Sequence, residues 1–217
     1  MNSLRPLVLA SVLAATIVPA VHAQEREREP IARFAADVRG VLPRYPKDQA
    51  TPTAINVSAD NLPARGLGLS FGAHVYPLRM GKVTLGLGGE LLFTRGKRTA
   101  APATAGGADG PTVVTRFSAL SPQVSLNFGS RSGWSYVSAG LGRGQFTIER
   151  EAAPVAEATS KPRTLNYGGG ARWFASPHLA FTFDIRFHKI ADQAAITGRP
   201  AYGARKITVL SAGVSFK

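Results

Sequence analysis

The chain has 217 residues, no cysteine, and 26 Lys and Arg against 13 Asp and Glu, a formal net charge of +13. The absence of cysteine excludes a disulfide framework and thiolate chemistry. Such basicity usually raises nucleic acid as a partner. Here the cations are scattered, with no basic helix and no basic run interleaved with aromatics, so nucleic acid is not expected.

Met1–Ala23 reads as a secretory signal peptide. Arg5 supplies the positive n-region, Leu7–Val18 the apolar h-region, and Val21-His22-Ala23 a small-x-small cleavage site. The apolar run falls short of the ~20 residues that a spanning helix needs, and no later segment is long and apolar enough to be one. Residues 24–30 form a short charged segment, and 31–217 are expected to be one domain.

Within that domain the recurring signal is alternation of period two, clearest at Leu179–Phe187, where every odd position is apolar and the even ones include Asp184 and Arg186. Such a strand has two chemically opposite faces. Eight segments carry the pattern. The first, Ile31–Leu42, sets Phe34, Ala36, Val38 and Leu42 against Arg33, Asp37 and Arg39. The second and third, Gly66–Tyr76 and Lys82–Thr94, oppose large apolar residues to Gly, Ser, Thr, His74 and Glu90. The fourth, Thr112–Phe128, ends with Val124, Leu126 and Phe128 on one face. In the fifth, Trp134–Ile148, Arg143 falls on the apolar face. That implies either a bulge among Gly140, Gly142 and Gly144 or an arginine at the rim reaching headgroups. The sixth, seventh and eighth are Thr164–Phe174, His178–Lys189 and Lys206–Phe216.

The links alternate in length. Leu78–Gly81, Gly129–Gly133 and Ala175–Pro177 read as tight turns. Tyr45–Arg65, Arg95–Pro111, Glu149–Arg163 and Ile190–Ala204 read as long polar loops, and the second and third are expected to be mobile. Short turns on one side and long loops on the other is the asymmetry of an outer-membrane barrel, with the long loops extracellular. A soluble barrel would invert the faces, and its inner face of Gly, Ser, Asn and charges could not form a dry core. Nor would lipid accept that face, since an arginine at the midplane costs ~2–4 kcal/mol. The apolar face is therefore assigned to lipid. Phe128, Trp134, Trp173, Phe174 and Phe216 at one end, and Phe93 and Phe146 at the other, are expected to form two aromatic girdles.

The repeated strands, the turn-and-loop rhythm, Tyr167-Gly-Gly-Gly-Ala-Arg-Trp-Phe174 and the closing Leu210-Ser-Ala-Gly-Val-Ser-Phe216 resemble the small eight-stranded outer-membrane barrels, the OmpA-like transmembrane domain and OmpX class. The likeness runs over Ile31–Lys217. It implies an all-β, eight-stranded, antiparallel up-and-down transmembrane barrel, exported through the periplasm to the outer membrane. It also implies that Leu210, Ala212, Val214 and Phe216 are the C-terminal signal read by the barrel assembly machinery, although Lys217 here follows the terminal phenylalanine. The peptidoglycan-binding role of a further periplasmic domain is not expected to transfer.

Eight strands leave an interior only wide enough for side chains. The residues expected there are Arg33, Asp37, Arg39, Glu90, Arg172, Asp184, Arg186 and His188. They form either a plug of paired charges or the lining of a narrow ion path. Lumen glycines are expected to make room for the arginines. Outside, Arg95, Lys97, Arg98, Arg199, Arg205 and Lys206 form a basic extracellular rim suited to lipopolysaccharide phosphates or an acidic surface. An enzyme needs a nucleophile and base gathered at a rim. His188, Asp184 and Asp192 are the nearest approach, without a G-x-S-x-G or H-E-x-x-H motif. The expectation is a monomer with a structural or surface-interacting role and no cofactor or metal. A channel is the alternative, and a lipid-modifying enzyme or protease is less favoured.

Overall fold

The computed structural model describes residues 29–47, 56–102, 104–154, 161–195, 201 and 203–217. The expected signal peptide lies outside them. Eight strands follow in chain order: β1 (Phe34–Arg44), β2 (Leu67–Met80), β3 (Val83–Thr99), β4 (Thr112–Ser130), β5 (Gly133–Arg150), β6 (Arg163–Phe174), β7 (Leu179–Ile190) and β8 (Arg205–Phe216). Each pairs antiparallel with its sequence neighbours. The ladder from Ala36↔Phe216 to Arg44↔Thr208 joins β1 to β8 and closes the barrel. Closure removes every free edge within the ring, a condition for crossing hydrocarbon.

The alternation sets the faces. Phe71, Leu87, Val124, Val137, Phe183 and Leu210 point outward and are exposed, whereas Ser70, Gln123, Ser138, Asp184 and Ser211 on the same strands are buried. On β3 the outward apolar run from Val83 to Phe93 spans roughly ten residue steps, about 25 Å along the membrane normal for a tilted strand.

Three elements differ from the sequence reading. First, β3 and β5 run beyond their expected long-loop ends, to Thr99 and Arg150, and pair there with the start of β4, from Gly96↔Thr115 to Thr99↔Thr112 and out to Val113↔Arg150. Above the belt both faces of the sheet are polar in places, so alternation fades while the ladder continues. The β-branched run Thr112–Thr115 favours strand there. Second, β5 carries no bulge. Its register with β4 is the same on both sides of Ser121 and Pro122, where pairing lapses because Pro122 has no N–H to donate. The bulge falls in β2 between Val75 and Leu78, at Tyr76 and Pro77. Third, Trp134 and Phe146 are not girdle residues: both are buried inside the barrel, at 2% and 1% exposure. The phase that turns Val137, Ala139 and Leu141 outward turns these even-numbered residues inward. Phe174 is also half-buried and packs on the inner aromatic cluster. Phe93, Phe128, Trp173 and Phe216 do face outward.

Candidate functional site: the layered lumen and the basic outer rim

The interior is built in three layers. Toward the long-loop end, Val41, Leu92, Phe117, Phe146, Ile148, Ile190, Ile207 and Val209 form an apolar plug. Leu62 and Tyr45, from the two ends of the first loop, join the same cluster, and Tyr45 Oη donates to Thr94 Oγ1 at 3.0 Å. Burial pushes the Tyr45 phenol up to about 12. Toward the short-turn end, Ile31, Ala35, Tyr76, Trp134 and Tyr136 form a second plug. Tyr76 meets Trp134 edge-on at 5.7 Å, and Phe174 stacks on Trp134 at 5.1 Å.

Between the plugs lies the charge. Arg172 clamps Asp37 through Nε at 3.0 Å and Nη2 at 2.5 Å, and Ser215 donates to the same carboxylate. The Arg172 guanidinium lies 4.4 Å over the Tyr136 ring. Arg39 bonds Glu90 and stands 3.5 Å from Asp184. Arg186 reaches Glu90 at 3.3 Å, Asp184 at 3.1 Å and Ser138 Oγ at 2.9 Å. Tyr136 Oη donates to Asp184 at 2.8 Å. Three guanidinium groups thus face three carboxylates in one connected, buried layer, where an unpaired member would be costly.

Most of the expected lumen residues meet in this layer, with two exceptions. Arg33 is exposed and lines an outer groove with Val75, Tyr76 and Arg79. A bend at Arg33 precedes β1, and Ile31 and Ala35 take the space beneath Trp134 and Tyr136. His188 is buried but lies beside the network, edge-on to Phe117 at 5.3 Å. Its ring nitrogens, like the Asn166 amide, have no hydrogen-bond partner among the described residues. Asp184 is engaged by arginines and Asp192 lies exposed in a loop, so these three do not gather at a rim. The lumen glycines serve rings as much as arginines. Gly72 lies beside Asp37 and Arg39, but a Cβ at Gly86 would crowd Tyr76 at 2.9 Å, and one at Gly88 would meet the His74 ring. Among the described residues no cluster of His, Cys, Asp or Glu could hold a metal.

The expected basic rim divides. Arg205 points inward, 8% exposed, with its guanidinium 4.9 Å over Phe146. β8 begins at Arg205, and its odd positions face the lumen. Arg98 lies on the inward phase of β3 and is exposed above the plug. Arg199 lies outside the described residues. Arg95 and Lys97 face outward and share Glu151, at 3.4 and 2.7 Å.

Sequence reasoning missed the larger pattern. The outward position just beyond the apolar belt at the long-loop end is basic on seven strands and just before β2: Arg44, Arg65, Arg95, Arg116, Arg143, Arg163, Lys189 and Lys206. In register these stand as four pairs directly opposite one another, Arg44↔Arg65, Arg95↔Arg116, Arg143↔Arg163 and Lys189↔Lys206. The signal was present as Leu42-Pro-Arg44, Phe93-Thr-Arg95, Leu141-Gly-Arg143 and Phe187-His-Lys189, a cation two residues beyond the last apolar one. Like charges directly opposite destabilise a sheet. Glu151 and Glu149 neutralise Arg95 and Arg116. The other three pairs have no carboxylate within ion-pair distance among the described residues.

A closed eight-stranded antiparallel barrel with an exposed apolar belt and a charged interior defines an outer-membrane β-barrel protein. Its fold matches Neisserial surface protein A over 86% of this chain and 97% of that one, with a TM-score of 0.51 at 13% identity. It is also similar to OprG, an outer membrane protein of Pseudomonas aeruginosa (87% and 97% covered, TM-score 0.46, 11% identity), and to Ail, the attachment invasion locus protein of Yersinia pestis (84% and 96%, 0.45, 14%). No protein-family model and no curated relative matches the sequence.

Proposed function

We propose that the chain is a monomeric outer-membrane anchor with a structural or surface-interacting role, not a channel and not an enzyme. The barrel holds four long extracellular connections at the surface, in contact with membrane lipid and lipopolysaccharide. Leu210, Ala212, Val214 and Phe216, on the outward face of β8, serve as its assembly signal.

The observation that supports a closed barrel is the double seal. An ion would have to cross an apolar constriction on each side of the charged layer, and such constrictions exclude water as well as ions. Each guanidinium of the charged layer is itself paired with a carboxylate. The test is conductance of the signal-free protein refolded into a planar lipid bilayer. The expected result is an inserted but electrically silent barrel. Steady channels whose selectivity shifts with Arg186→Ala or Asp184→Ala would overturn the reading and make the lumen the working part.

A further inference from the structure

Two independent features coincide at one place on the lipid-facing surface. At the top of the belt, Arg143 and Arg163 lie directly opposite each other, both exposed and both pointing outward. Below them the surface is grooved. A depression of about 450 Å³ is lined by Leu120, Pro122, Leu141 and Gly142, with Arg143 and Arg163 at its head. It leads through Pro122 and Leu141 into a second depression of about 670 Å³, walled by Leu87, Val124, Ala139 and Leu165. The groove exists because Pro122 and Ala139 put small side chains on the outward face between larger Leu and Val neighbours.

We propose that this is a binding site for a membrane lipid carrying a phosphomonoester, its phosphate held between Arg143 and Arg163 and an acyl chain lying in the groove beneath. The inference rests on the barrel being membrane-inserted. Charge and shape both commit it to a lipid. Opposed side chains on paired strands lie ~4.5–5.5 Å apart at Cβ, so one phosphate can accept from both guanidinium forks. A soluble anion could neutralise the pair but would leave the apolar groove unfilled. The Arg95↔Arg116 pair shows the alternative, because there the chain supplies its own carboxylates. The Arg44↔Arg65 and Lys189↔Lys206 pairs lie at the same level and would attract phosphate by charge. Arg143 and Arg163 both line the groove that enters the belt, whereas Arg116, which lines a depression with Phe93, is already paired with Glu149.

The test uses the full barrel in phosphatidylcholine vesicles, with spin-labelled phosphatidic acid or spin-labelled phosphatidylcholine as the reporter of lipid held at the protein surface. The wild-type barrel is expected to select phosphatidic acid over phosphatidylcholine, and high salt to reduce that preference. Arg143→Gln/Arg163→Gln should abolish most of it. Ala139→Phe, which fills the groove and leaves the charge intact, should lower it too. Lys82→Gln/Arg131→Gln removes the same charge from the short turns and should leave the preference unchanged. Equal loss in both double variants would reduce the effect to net charge and overturn the site. Loss in the arginine variant without loss in Ala139→Phe would overturn the acyl groove. Failure of the wild-type protein to insert, read by its heat-modifiable mobility, would instead remove the barrel reading beneath the proposal.

Discussion

Removing the Asp37 carboxylate would leave the Arg172 guanidinium buried among Trp134, Tyr136 and Ser215 with its charge uncompensated. Breaking a buried pair from one side is expensive, whereas replacing both partners is often far milder. Asp37→Ala is therefore expected to cost ~3–5 kcal/mol, and Asp37→Ala/Arg172→Met to cost less than that single change. Guanidinium-induced unfolding of the lipid-inserted barrel measures both. A double variant as unstable as the sum of its singles would show that the pair does not act as a unit. A second residue-scale prediction concerns Gly86, where the nearest atoms to an added Cβ all belong to side chains, Tyr76 and Ser125. Gly86→Val should overpack the lower plug by ~1–3 kcal/mol, and the cost should shrink in a Tyr76→Leu background, as coupled neighbours require. At this scale the direction of a charge was legible in the sequence, since Asp37, Arg39, Glu90, Arg172, Asp184 and Arg186 all fall on the polar phase. Which charge met which was not. Asp37 and Arg172 stand on β1 and β6 and meet only because the closed ring faces them across the lumen. Arg33 escaped the phase because a bend, which no alternation pattern reveals, precedes β1.

Along a strand, the same substitution should change its cost with depth. On β3, Leu87 lies near the middle of the outward apolar run and Phe93 near its upper end, two residues before Arg95. Leu87→Arg should destabilise the inserted barrel by ~2–4 kcal/mol, falling to ~0–1 kcal/mol for Phe93→Arg, with Leu91→Arg between them. A flat series in urea unfolding would contradict the placement of the belt. Strand existence and phase were legible because both solvents, lipid and lumen, select residues at every second position. Strand ends were not. Once β3 and β5 rise above the belt, lipid no longer selects the outward face, so Gly96–Thr99 and Glu149–Arg150 read as loop while remaining paired. Arg143 is legible only as a choice, a bulge in β5 or a rim arginine reaching headgroups, and the unbroken register selects the rim arginine as the marker of where hydrocarbon ends.

At the scale of the whole molecule, closure creates a property that no strand possesses. The barrel has a polar middle and two apolar ends, one built from Phe117, Phe146, Ile207 and neighbours, the other from Trp134, Tyr76 and Ile31. Two seals in series predict a non-additive response. Opening one leaves the other dry, so Phe117→Ala/Phe146→Ala and Trp134→Ala should each insert and remain non-conducting, at a stability cost of ~3–5 kcal/mol per aromatic removed. Their combination removes both dewetted constrictions and joins the charged layer to water on each side. Conductance should then appear, with an ion selectivity that changes when Arg39 or Glu90 is substituted in the same background. Single-channel recording in planar bilayers distinguishes the cases. If Trp134→Ala alone conducted, the upper cluster would be packing without sealing, and the long-loop side of the lumen would already be open to water. If the combined variant inserted and stayed silent, the barrier would lie in the charge layer itself. In that case the guanidinium–carboxylate lattice of Arg39, Arg172 and Arg186 would be the true plug, and the apolar clusters would serve only to keep water from loosening it.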